Sequence, residues 1–176
     1  MKVVIQDGIE SAGNTDNNGE NDPDWTTGTK MGLGLDGTYY VLDHVYDQLS
    51  PNGVERMIRN TATQDGRAVQ IDLPQDPGQA GKSQVMSMTK MLAGYNVRSK
   101  TVTGDKVTRF SPFSAQAEAG NVKVLRGAWN DRWLTELENF PPDSGHDDDA
   151  DSTAQAFNAL SRPQTTTKTS KVRGLI

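Results

Sequence analysis

A chain of 176 residues with 34% hydrophobic residues, a mean hydropathy of -0.68 and a net charge of -5 suits one polar domain that still buries a core of its own. The absence of cysteine excludes disulfides, thiolate nucleophiles and Cys-built zinc sites. With His44 and His146 the only histidines, any metal must be a hard ion held by oxygen ligands.

No apolar run approaches the roughly 18 residues of a membrane span. Met1 is followed by KVVIQDGIE, neither signal peptide nor anchor, so the chain reads as soluble and intracellular. Lys2 to Gln6 reads as a short apolar strand running into Asp7-Gly8. Asp7 then stands at a strand end, which holds a carboxylate more firmly than a loop does. Residues 8 to 24 have almost no apolar content and read as a long loop. Asp16, Asn18, Glu20 and Asp22 mimic part of a calcium loop, but the required spacing fails.

From Trp25 the pattern is strand-like. WTTGTKMGLGL, the turn Asp36-Gly37 and TYYVLDHVYDQL predict a hairpin, giving three adjacent antiparallel strands with the first. Ser50 caps a helix running to about Gln64, with Pro51 in its first position and Val54, Met57 and Ile58 on its buried stripe. Ala68 to Leu73 reads as a central strand added in parallel, stopped by Pro74 and Pro77. Gln75, Asp76 and Gly78 then lie at its C-terminal edge, where ligands bind in open α/β sheets. GQAGKS invites a phosphate-loop reading, but position 76 would have to be Gly and is Asp. A helix is expected over about 80 to 93, with its methionines as core filling, and a strand from Tyr95 to Val102. A further helix, properly begun by Pro112, runs to Ala119, and a short strand covers Val122 to Leu125. The helix Trp129 to Phe140 turns Trp133, Leu137 and Phe140 inward. A last helix runs from near Asp147 to Leu160, and residues 162 to 176 read as a disordered basic tail, leaving 1 to 161 as the domain.

The charges are segregated. Residues 1 to 24 hold six acids against Lys2, and residues 133 to 151 hold seven acids and no Lys or Arg. Residues 97 to 132 carry seven bases against three acids. A basic flank beside an acidic centre is the pattern expected where metals bridge acids to phosphates. The acidic centre is His146-Asp147-Asp148-Asp149-Ala150-Asp151. Four carboxylates in five positions repel one another unless a cation, an Arg or water takes up the charge. On a helix Asp148 and Asp151 share a face, Asp147 is cap or alternate ligand, and Asp149 is left facing solvent. With Asp7 and Asp76 on neighbouring strands, Asp147, Asp148 and Asp151 could hold two Mg2+ or Mn2+ ions, one acidifying the attacking water and the other stabilising the leaving oxygen. Asp7, Asp76 and Asp148 are the expected catalytic residues. Asp72, Asp22 and Asp24 are alternatives, Asp72 having the same strand parity as Asp76; Asp76 is preferred because an edge position costs a charge less than mid-sheet. His146 is assigned an outer or structural role. Lys106 and Arg109, in the G-D-K-x-x-R context, are expected to grip DNA phosphates or balance the carboxylates.

In order along residues 1 to 160, the strand ending at Asp7, NDPDWTTGTKMG, DGTYYVLD, LPQDPGQAGK, GDKVTRFSPFSAQAEAGNV, the tryptophan helix closing in ENFP and HDDDADSTAQAF form a specific set. It resembles the C-terminal nuclease domain of the large terminase subunit of tailed bacteriophages. The resemblance departs at Gln6, where an aromatic is usual, and at Gly8-Ile9. It implies a ribonuclease H-like α/β fold with a mixed sheet of three antiparallel N-terminal strands, further parallel strands and flanking helices. It also implies a metal-dependent endonuclease cleaving double-stranded DNA in the host cytoplasm during genome packaging, with Asp7, Asp76 and the Asp147-Asp148 pair, adjoined by Asp151, as its acids. The implied partners are an ATPase domain, whose Walker A loop this sequence lacks, the portal protein and the small terminase subunit. A non-catalytic DNA-binding module and a Holliday-junction resolvase of similar fold are the alternatives.

Overall fold

The computed structural model describes residues 25–142 and 147–161 with their side chains, and the backbone of residues 2–6. A six-stranded mixed sheet is built from β1 (Lys2–Gln6), β2 (Trp25–Leu33), β3 (Tyr39–Gln48), β4 (Gln70–Gln75), β5 (Asn96–Thr101) and β6 (Val122–Val124), in the order β5-β4-β1-β2-β3-β6. β1, β2 and β3 are antiparallel neighbours, whereas β4 joins β1, β5 joins β4 and β6 joins β3 in parallel. This is the mixed sheet expected of the ribonuclease H-like fold.

Helices α1 (Pro51–Asp65) and α2 (Gln79–Met91) cover one face of the sheet, and α3 (Lys106–Glu118), α4 (Asn130–Glu138) and α5 (Asp148–Ser161) cover the other. Each face has its own core, as a sheet buried on both sides requires. Val54, Ile58 and Ala62 of α1 and Met88 of α2 meet Ile71 and Leu73 of β4. On the opposite side Phe110, Phe113, Trp129, Trp133 and Phe157 form an aromatic core around Met31 and Val41. Phe113 meets the rings of Trp133 and Phe157 edge-on, at centroid separations of 6.3 and 5.8 Å.

α5 lies close against the sheet because its inner surface is made of small residues. Ala150, Ser152, Thr153, Ala154 and Ala156 are all buried. Their hydroxyls would cost energy in an apolar seam, and β2 answers with threonines at alternate positions. Thr27 Oγ1 donates to the Asp148 carbonyl at 2.9 Å, Thr29 Oγ1 lies 2.8 Å from Ser152 Oγ, and Trp133 Nε1 donates to Thr153 Oγ1 at 2.9 Å.

Two expectations about proline are corrected. Pro74 does not stop β4, which continues to Gln75 and pairs with β5 as far as Thr101. Its described pairing with β1 ends at Val4 and Asp72, so Pro74 falls where one side of the strand carries no described ladder, a position that tolerates a missing N–H. Nor does Pro112 begin α3. The helix starts six residues earlier, capped by Asp105, whose carboxylate accepts from the Thr108 amide at 2.8 Å, and Pro112 lies inside it. The long loop over 8 to 24 and the tail over 162 to 176 lie outside the described residues.

Candidate active site

β4 and α5 approach each other where β1 lies between β4 and β2, and the space beyond β4 is walled by β5 and α3. The result is a cleft of about 380 Å³ lined by Asp72, Lys100, Arg109, Asp151, Gln155 and Asn158, among others. Asp72 is mid-strand and 4% exposed, with its carboxylate accepting a hydrogen bond from Gln70 Nε2. Its backbone carbonyl accepts from Gln155 Nε2 at 3.2 Å, tying β4 to α5 beside the cleft.

Asp151 brings the second carboxylate. It is 9% exposed and belongs to the first turn of α5, where free amides and the helix dipole moderate negative charge. Arg109 Nη2 donates to Asp151 Oδ1, Lys106 Nζ stands 3.5 Å from Asp151 Oδ2, and Lys106 Nζ is 2.6 Å from Asp147 Oδ1. Arg109 is itself held in place: its Nη1 donates to the Gly104 carbonyl at 3.0 Å, and its own carbonyl accepts from Asn158 Nδ2 at 2.9 Å. Partial burial pulls the Lys106 ammonium down. The hydrogen bond to Asp147 and the charges of Asp151 and Asp147 outweigh that pull and hold its pKa above the ordinary lysine value.

Of the acids expected from the sequence, Asp151 lines this cleft, Asp147 joins it through Lys106, and Asp148 begins α5 two residues before Ala150. Asp76 is exposed, one residue past β4, and its backbone is packed against Gly81: a Cβ there would come within 2.4 Å of the Asp76 carbonyl oxygen. The GQAG segment thus closes the strand exit tightly onto α2 rather than forming a phosphate loop. Asp7, Asp22, Asp24 and His146 lie outside the described residues.

Asp149 corrects the sequence reading. It does not face solvent; it is completely buried. Its Oδ1 lies 3.1 Å from His44 Nε2 and 3.2 Å from Arg132 Nη1, and its amide donates to Glu136 Oε1 at 2.6 Å. His44 reaches back through Nδ1 to Thr29 Oγ1 at 3.1 Å, and the Arg132 guanidinium stacks on Trp25 and Tyr46, at 4.3 and 4.0 Å from the ring centroids. Burial, followed by the negative charge of Asp149, pushes the Glu136 carboxyl up to about 8. The signal was present in the sequence, since Asp149, Thr153, Ala156 and Leu160 form one stripe at helical spacing.

Chemically, the donors at the cleft suit a hard divalent cation, because they are carboxylate oxygens without sulfur or imidazole. The set is incomplete: among the described residues no three His, Asp or Glu side chains are gathered closely enough to hold an ion. Instead, lysine and arginine occupy the charge of Asp147 and Asp151.

Comparison with known proteins agrees with this architecture. The chain resembles, in fold, the Fowlpox virus resolvase solved in complex with its substrate Holliday junction DNA, at TM-score 0.52 and 12% identity over 90% of this chain and 96% of that one. It also resembles the yeast mitochondrial Holliday-junction resolvase, at TM-score 0.52 and 8% identity over 90% of this chain and 77% of that one. No curated protein matches it by sequence. A family model, however, described as the terminase RNaseH-like domain, matches residues 13–160. With that match covering most of its length, and with the sheet order and α5 in place, the chain belongs to the terminase RNaseH-like domain family, a family of ribonuclease H-like nucleases.

Proposed function

We propose that this domain is a divalent-metal-dependent endonuclease that cuts double-stranded DNA, and that its place is in phage genome packaging. The observation that carries the reading is the meeting of a buried mid-strand carboxylate, Asp72, with Asp151 in one open, polar cleft. A charge is costly in mid-sheet, and a cleft that keeps two such groups together stores negative potential for a cation.

In this reading Asp72, Asp148 and Asp151, with Asp7, hold Mg2+ or Mn2+. Asp72 takes the place first given to Asp76, because Asp76 is exposed at the strand exit whereas Asp72 lines the cleft. When bound, the metal supplies an acidified water and stabilises the leaving oxygen of a phosphodiester. The protein's part is to position. Gln70 fixes the Asp72 carboxylate, Thr27 fixes the start of α5, and Lys106 and Arg109 neutralise Asp147 and Asp151 until a cation enters. An ATPase domain, the portal protein and the small terminase subunit are the partners that this placement implies, in the host cytoplasm. Among the described residues no helix is long and apolar enough to cross a membrane.

Supercoiled plasmid incubated with Mn2+ tests the activity. Nicked and linear products that disappear with a chelator are expected, and intact plasmid under both Mn2+ and Mg2+ would overturn the reading. A second reading, cleavage of branched DNA, is favoured by the two resolvases of like fold. Faster cutting of a four-way junction than of a linear duplex of equal length would select it.

A further inference from the structure

The basic residues around the cleft are of two kinds. Lys106 and Arg109, on the first turn of α3, are already engaged, their charges answered by Asp147 and Asp151. Two cations and two carboxylates leave that corner with little charge to offer a polyanion. Arg98 and Lys100, on β5, are different. Both are exposed, and neither has an ion-pair partner among the described residues.

Their placement is equally distinct. Among the described residues β5 is the edge of the sheet, and no further described strand limits what passes along it. Arg98 is in register with Asp72 and Lys100 with Pro74, which puts both bases on the face of the sheet that Asp72 presents to the cleft. Lys100 lines the cleft itself, followed by Thr101, Val102 and Thr103. Residues two apart on a strand are separated by about 6.6 Å, the same order as the separation of neighbouring phosphates along one DNA strand. The wall opposite is built from Gln155, Asn158 and Ser161 of α5, with Asp151 at its N-terminal end already answered by Arg109. A sugar-phosphate backbone laid along β5 would therefore meet cations at its phosphates on one side, hydrogen-bonding groups on the other and Asp72 between them.

We propose that Arg98 and Lys100 form the phosphate-binding rail of the cleft, taking one DNA strand along the free edge of β5. Lys106 and Arg109 serve the carboxylates instead. The inference rests on the proposed DNA-cutting function and assigns it a binding surface. It separates the bases of α3 from those of β5, which sequence reasoning grouped in one basic flank.

The test is DNA binding without cleavage. The whole chain is titrated into a fluorescently labelled duplex in chelator, at several salt concentrations, and affinity and salt slope are read by anisotropy. Arg98→Gln with Lys100→Gln should weaken binding roughly 10- to 100-fold and reduce the slope of log K against log salt by about 1.8, the release expected for two phosphate contacts. Lys106→Gln with Arg109→Gln should change the slope by less than half as much. The β5 positions are exposed, and unchanged circular dichroism would show that the fold is intact; Lys100→Glu alone should weaken binding further than Lys100→Gln. An unaltered slope in the β5 pair, or a larger loss in the α3 pair, overturns the rail. A wild-type chain that binds no duplex at low salt overturns the DNA reading itself. Cleavage that fails while binding and its slope behave as stated touches only the catalytic reading.

Discussion

The first turn of α5 sends two aspartates, two residues apart, into opposite surroundings. Asp151 turns to an open cleft and is met by Lys106 and Arg109 from the start of α3. Asp149 turns into the aromatic core and is met by His44 and Arg132, with one oxygen, Oδ2, left without a hydrogen bond among the described residues. Same residue type and same helix turn therefore carry different physical burdens. The inner carboxylate anchors α5, because a buried charge with organised partners is strongly destabilising to break. The outer one has partners that can be exchanged, since Lys106 is about half exposed and the cleft admits solvent and ions.

The sharpest way to break this contrast is to remove the inner acid. Asp149→Ala leaves His44 and Arg132 facing an empty position and should cost about 3 to 5 kcal/mol, measured by chemical denaturation; a loss below about 1 kcal/mol would deny that Asp149 anchors the helix. Asp151→Asn should do the reverse. Nuclease activity is expected to fall by at least about 100-fold, or about 2.7 kcal/mol of transition-state stabilisation, while the melting temperature stays within about 3 °C. Activity at wild-type level would place the chemistry elsewhere.

The inner cluster also has a pH signature. Glu136 is pushed up to about 8 by burial and by Asp149, so between its ordinary 4.5 and about 8 the folded protein keeps a proton that the unfolded chain has released. Folding stability must then fall as pH rises through that window. Glu136→Gln removes the slope, and the wild type should lose about 1 to 2 kcal/mol more than the variant between pH 5 and 8.5. Parallel melting curves would contradict this. The outer corner should show the smallest effect. Lys106→Gln is expected to change stability by less than about 1 kcal/mol, evenly across neutral pH. The raised lysine pKa gives a contribution present below its ordinary 10.5 and lost only as pH climbs through the higher folded value. A marked pH dependence near neutrality in that variant would show that the outer pair is not the exchangeable one.

Much of this architecture is legible in the residues. The Asp36-Gly37 turn announces the hairpin of β2 and β3, and Ser50-Pro51 announces α1. The alternation from strand to helix after Gln64 announces β4 and β5 in parallel. Breakers were the weak point: Pro74 and Pro112 are tolerated inside their elements, because whether a missing N–H matters depends on the neighbouring strand or turn, which is tertiary information. The acidic turn of α5 was visible as a charge excess, and its division into two faces follows from helical spacing. What spacing alone does not supply is a partner. His44, 105 residues away from Asp149 in sequence, and Arg132, clamped by Trp25 and Tyr46, are brought to Asp149 by the fold. That is why helical spacing can place Asp149 on the inner stripe without showing what meets its charge there. The choice between Asp72 and Asp76 has the same origin, since both have the same strand parity and only the extent of β4 and the tight turn at Gly81 separate them.

That choice is also the most direct test of the proposed site. Plasmid nicking with Mn2+ should be measured for Asp72→Asn and Asp76→Asn side by side, with circular dichroism to verify that both are folded. The account predicts a loss of at least about 100-fold for Asp72→Asn and a change of less than about threefold for Asp76→Asn. Full activity in Asp72→Asn together with loss in Asp76→Asn would contradict it.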